Sequence, residues 1–248
     1  MNRTDFLKTT LLTGVAATLL PQTTWGMLQN SEFSRDQLIG KGNPDISGQS
    51  YTSTMHLQAK VALDKMKVAA AKEDIAIEVV SAYRSFQRQK EIYEGKYLRF
   101  TKQGLAPLDA IKKIIEYSTI PGTSRHHWGT DLDLMDANAP RPESVLQAKN
   151  YHGKGPFCKL KDWLDIHAAS FGFYEVYTNN ANRKGFNYEP WHLSYAPVSI
   201  PMLSAYKKLD VKAILQEENI LGSEHFTDAF IATYRKENIL DINPKLLS

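Results

Sequence analysis

Residues 121–135 read Pro121-Gly122-Thr123-Ser124-Arg125-His126-His127-Trp128-Gly129-Thr130-Asp131-Leu132-Asp133-Leu134-Met135 and place a turn, a histidine pair and a strand in one short stretch. Pro121-Gly122-Thr123 has turn composition, and Leu132, Leu134 and Met135 predict a strand over residues 131–135. Alternate residues of a strand share a face, so Asp131 and Asp133 point the same way. Gly129, between the histidines and the strand, suits a turn that brings backbone close to whatever they surround.

Upstream, Ile75, Ile77, Val79 and Val80 form a β-branched run, so residues 74–82 read as a strand that delivers Tyr83-Arg84-Ser85 at its end. Before it, residues 54–72 show helical periodicity, with Leu57, Val61, Leu63, Met66 and Val68 as the expected apolar stripe. Helices are expected over 86–100 and 107–117. Downstream, residues 136–156 have loop composition, and 157–170 read as a helix with Leu160, Trp163, Leu164 and Ile166 inward. Short strands over 174–177 and 191–195 flank a polar loop, and two helices, about 200–217 and 223–237, follow. This order predicts an α+β domain: a small, mostly antiparallel sheet with helices packed around it.

A chain of 248 residues, 42% hydrophobic and 23% charged, is long enough to bury one good core. Its net charge is +3 and it has no dense Lys/Arg block, so neither nucleic acid nor a polybasic membrane contact is expected. Arg3 and Lys8 precede an apolar run over residues 9–20, then Pro21 and small or polar residues to Gly26, a pattern of an export signal. The run is too short to span a bilayer, and no Cys stands near it to carry a lipid anchor. Residues 2–8 are similar to a twin-arginine motif with Thr4 in place of the second arginine. The expected organisation is a signal over 1–26, an extended arm over 27–51, a core over 52–197 and a helical extension over 198–248. The mature protein is expected outside the cytoplasm, in the periplasm or cell envelope, with no stable membrane insertion once the signal is removed. Cys158 is the only cysteine, which rules out an internal disulfide and a thiolate-based zinc site, so any metal must rely on His and carboxylate.

Three segments carry candidate chemistry: Ser81-Ala82-Tyr83-Arg84-Ser85 with Gln89 beyond it, residues 124–133, and Glu189-Pro190-Trp191-His192. Their joint occurrence resembles the zinc D,D- and L,D-carboxypeptidases of the peptidase M15 family, with the VanY-like core. That family's signatures are Tyr-Arg-Ser with a downstream Gln, Ser-x-His-x-x-Gly-x-x-x-Asp, and Glu-x-x-His with Trp before the His. The resemblance spans about 52–195 and implies one zinc per chain in a central cleft, held by His126, Asp133 and His192. It further implies Glu189 as catalytic base and Arg84 at the scissile carbonyl. Asp131, where the family often has Ala, and Arg125 depart from its pattern.

Two imidazoles and one carboxylate suit hydrolytic zinc, which keeps a fourth position open for water. By strand alternation alone, either Asp131 or Asp133 reaches the metal; if Asp133 does, Asp131 is left to orient a histidine or to pair with Arg125. Pro190 disfavours regular ladder pairing, so a bend there would turn Glu189 toward the metal. His127 is expected to be a packed or hydrogen-bonded histidine, and Trp128 and Trp191 to wall the cleft. Ser85, Gln89 and Ser124 are candidates for binding the peptide's terminal carboxylate or amides, Ser85 with a plain helix N-cap as its rival. The leading expectation is hydrolysis of an amide at a D-amino acid in peptidoglycan stem peptides, by resemblance a D-alanyl carboxypeptidase. A peptidoglycan endopeptidase with the same site, and a non-catalytic zinc-stabilised binding domain like those of hedgehog signalling, are the alternatives.

Overall fold

The structure, a computed structural model, describes residues 33–217 and 219–247. The expected export signal and the first residues of the arm lie outside them. The rest of the arm is not simply extended. Its residues Arg35–Ile39 form helix α1, started by a reciprocal Ser34/Gln37 capping box, and bury Leu38 and Ile39 in the core. A two-residue ladder, β1 (Ile46–Ser47) with β2 (Met55–His56), then leads into helix α2 (Leu57–Ala71).

The stripe expected on α2 is corrected. Its inward residues are Ala59, Leu63, Met66 and Ala70, at helical spacing, whereas Leu57, Val61 and Val68 are 50%, 56% and 65% exposed. The two alanines let the helix approach the sheet closely, which an aliphatic-only pattern overlooks. The same correction applies to Ile166, which is 73% exposed and points away from the core.

Four strands form the central sheet in the order β3 (Ile77–Ser81), β4 (Asp131–Asp136), β6 (His192–Tyr195), β5 (Phe173–Glu175), all antiparallel. Leu132 and Leu134 of β4 and Leu193 of β6 pack with Leu63, Met66, Leu160 and Trp163, the last two from α5 (Cys158–His167). The alternate residues Asp131, Asp133, His192 and Ser194 occupy the opposite face, and Asp133 lies directly across the ladder from His192. Beyond that face, a second cluster gathers α1, α3 (Phe86–Lys102), α4 (Pro107–Ile114) and the C-terminal helices.

The C-terminal region is more segmented than expected. α6 (Ala196–Tyr206) begins early because Pro197 is tolerated in a first turn, and α7 (Val211–Glu217) is separate. The expected helix over 223–237 resolves into a 3-10 turn, α8 (Asp228–Tyr234) and a π-helical turn over Arg235–Ile239. The Tyr206 hydroxyl donates to the Gly122 carbonyl at 2.8 Å, and the Tyr234 hydroxyl meets both the Ile120 N–H at 3.1 Å and Thr123 Oγ1 at 2.8 Å. The turn before the histidine pair is thus clamped from the C-terminal side.

Candidate metal centre and cleft

His126, Asp133 and His192 converge, offering ligand atoms that all lie within 4.8 Å of one another, and each residue is buried. His126 comes from a 3-10 turn, Arg125–Trp128, closed by Gly129 in the left-handed conformation (φ 69°). The end of β3 folds over this turn. The Arg84 N–H donates to the His126 carbonyl at 3.0 Å, and His126 Nδ1 lies 2.7 Å from the Ala82 carbonyl. A carbonyl can only accept, so Nδ1 carries the proton and Nε2 is left with its lone pair toward Asp133 Oδ2, 3.6 Å away.

His192 is oriented in the opposite sense. Its Nε2 lies 3.0 Å from Asp131 Oδ2, which leaves Nδ1 facing Glu189 Oε2 at 2.8 Å. Glu189 reaches that position because Glu189-Pro190-Trp191-His192 is a β-turn, closed by the His192 N–H donating to the Glu189 carbonyl at 3.1 Å, with proline at its second position. The bend expected at Pro190 is present.

Asp131 combines both roles open to it. One oxygen takes the His192 contact together with Arg125 Nε at 2.8 Å, while the other accepts from Thr130 Oγ1 and Ser194 Oγ. Burial alone would raise its pKa, yet Arg125 and His192 hold it well below the usual carboxylate range. Burial, with the charges of Glu189 and Asp131, pushes Asp133 up to about 7, and Asp133 Oδ1 is buried with no hydrogen-bond partner. Burial, Arg84 and His192 lower His126 well below 6.5 and keep it neutral. Burial also opposes a charge on His192, but hydrogen bonds to Asp131 and Glu189 and the charge of Asp133 raise it to about 10.

The donor set therefore fits a divalent cation. An orphaned carboxylate oxygen, a neutral imidazole with its lone pair aimed inward and a surplus of carboxylates all call for positive charge at this point. The His126–Asp133 separation of 3.6 Å is close to the roughly 3.3 Å edge expected of a tetrahedron with zinc–nitrogen bonds of about 2.0–2.1 Å. A cation taking His192 Nδ1 would displace a proton there and release Glu189 from its hydrogen bond.

The remaining candidates divide. Arg84 and Ser124 line a cleft of about 620 Å³ together with the three converging residues, Glu189 and Trp191. Gln89 is fully buried behind Arg84, accepting from its Nη1 at 2.9 Å, while Ser81 Oγ takes Nη2 at 3.1 Å. Ser85 does not line the cleft; it caps α3 by accepting from the Arg88 N–H. Trp128, expected in the cleft wall, instead packs in the core against Arg125 and Tyr206 and donates to the Leu38 carbonyl. His127 has both ring nitrogens engaged, by the Arg84 carbonyl and the Gly122 N–H, and burial lowers it to about 4. Lys96 was not singled out from the sequence although it lines the cleft. Its spacing of seven from Gln89, one helix face, was the available signal.

The sequence profile of the VanY family, described as D-alanyl-D-alanine carboxypeptidase, matches residues 52–198. The chain belongs to that family. The matched span contains all three motif segments. This VanY-family chain is 33% identical over 107 residues to an uncharacterized protein of Haemophilus influenzae, covering 42% of this chain and 82% of that one. It is 23% identical over 189 residues to a D-alanyl-D-alanine carboxypeptidase of Enterococcus faecalis, covering 73% of this chain but 65% of that protein's length. Among solved structures, VanYB in complex with D-alanine-D-alanine superposes with a TM-score of 0.51 at 21% identity, over 72% of this chain and 92% of the other, a likeness of fold.

Proposed function

We propose that this VanY-family member is a zinc-dependent carboxypeptidase that removes a terminal D-amino acid from peptidoglycan stem peptides. The observation that carries the reading is Glu189, a buried carboxylate at the edge of the His126–Asp133–His192 cluster and open to the cleft. A purely structural metal site has no need of a further carboxylate beside it. We assign one zinc per chain to His126 Nε2, Asp133 and His192 Nδ1. Bound there, zinc supplies Lewis-acid activation of water and of the scissile carbonyl.

The chain's own residues supply the rest. Glu189 accepts a proton from the attacking water as the new C–O bond forms and returns it to the leaving amine as the C–N bond breaks. Arg84, fixed by Gln89 and Ser81, stabilises the charge that develops on the carbonyl oxygen. Gln89 thus acts through Arg84, and Ser124 faces the peptide directly. Asp131 sets the tautomer and orientation of His192.

Incubating the zinc-loaded protein with defined penta- and tetrapeptide muropeptides and weighing the products tests this reading. Loss of one D-alanine is expected, and absence of cleavage on any stem peptide would count against the substrate class. Arg84→Ala should lower turnover by roughly 10²-fold, as for loss of one oxyanion donor. Zinc content, measured beside it, should stay at the wild-type value; a variant that loses its zinc would place Arg84 in the metal site instead.

We further propose export to the periplasm or cell envelope, where stem peptides are found, with residues 1 to about 26 removed. N-terminal sequencing of the envelope protein is expected to begin near Met27. Recovery of intact Met1 or Asn2 on cytosolic protein would refute it.

A further inference from the structure

The wall of the cleft beside Arg84 is formed by Ile92 and Lys96 of α3 and by the loop through Ser118 and Thr119. Lys96 is half-buried there and has no hydrogen bond or ion pair among the described residues. Burial and the charges of Arg84 and Arg99 push its pKa down, and Glu189 alone opposes them. Lys96 lines the cleft together with Arg84 and Glu189, the two groups assigned to the reacting bond. Thr119 lines the same cleft, and its carbonyl accepts from Gln89. A half-buried, unpaired cation in a cleft that also holds Arg84 is a costly arrangement for a protein to keep unless an anion arrives there.

We infer that Lys96 binds the C-terminal carboxylate of the peptide, so that the cleft selects chain ends over internal bonds. This rests on the peptidase reading and extends it to a specificity-determining residue. A dipeptide end places its carboxylate one residue beyond the scissile carbonyl. Of the other cations that line the cleft with Arg84, Arg125 is paired with Asp131 and Lys149 is exposed, which leaves Lys96 as the half-buried, unpaired one. An endopeptidase would need this end of the cleft to accept a continuing neutral chain, for which an unpaired ammonium is unfavourable.

The test compares a stem peptide ending in D-alanyl-D-alanine with the same peptide amidated at its C-terminus, in wild type, Lys96→Met and Lys96→Arg. Wild type should prefer the free acid. Lys96→Met should raise KM for the acid by roughly 10- to 100-fold, the range for a lost charge-assisted hydrogen bond, with a much smaller change in kcat. The acid-to-amide preference should collapse, and Lys96→Arg should restore much of it. A merely structural lysine would shift acid and amide together, and that result, or an unchanged preference, overturns the inference.

Calorimetric binding of both peptides to zinc-loaded Glu189→Gln protein, alone and combined with Lys96→Met, separates the two readings. Lys96-dependent binding of the acid without cleavage by wild type would sink the proposed activity but sustain the anion site. Cleavage by wild type with Lys96-independent binding would do the reverse.

Discussion

Glu189→Gln is expected to lose roughly 10²–10⁴-fold in turnover on a D-alanyl-terminated muropeptide, the range for removing a general acid–base group. The amide preserves the shape, and the backbone hydrogen bond from the His192 N–H to the carbonyl of residue 189 is untouched, but the amide cannot take the proton of the attacking water. Glu189 is not among the three residues that converge on one point, so zinc content should match wild type. Turnover and metal content measured on one preparation distinguish the two ways this can fail. A variant as fast as wild type would remove Glu189 from the mechanism, and one that has lost zinc would make it a ligand.

The second large effect concerns the choice between the two aspartates of β4. Asp133→Ala should abolish stoichiometric zinc, because it removes the orphaned carboxylate that faces both imidazoles. Asp131→Asn should weaken zinc by about 10- to 100-fold, the usual cost of disturbing an outer-shell partner. Asn is the informative substitution at 131, since truncation there would leave Arg125 buried without its carboxylate. Zinc retained in Asp133→Ala and absent from Asp131→Asn would show that the assignment of the two is reversed.

Part of this site's geometry was legible because it depends on local rules, while the ligand set rested on the family resemblance. Strand alternation puts Asp131 and Asp133 on one face, and the Pro190 bend turns Glu189 back toward His192, as the residues themselves indicate. The ambiguity between the two aspartates was equally inherent in the sequence, because the contacts that separate them, Asp131 to His192 and to Ser194, join residues about sixty positions apart. Lys96 escaped notice for a similar reason. Nothing in its own neighbourhood marks it, and its significance comes from α3 lying along the cleft. The α2 stripe failed differently: the packing face used alanines where space was short, and larger aliphatics were left outside.

The grip of Tyr206 and Tyr234 on residues 120–123 bears on what can be transplanted. The family match stops at residue 198, within α6, although that helix and those after it share one apolar cluster with α1, α3 and α4. A cut at that boundary would sever a helix, open that cluster and strip the Ile120 N–H and the Gly122 carbonyl of their partners. Sequence kinship and mechanical integrity therefore draw different borders through this chain. The smallest portable form of the candidate site is a unit that retains the unmatched carboxy-terminal fifth of the chain.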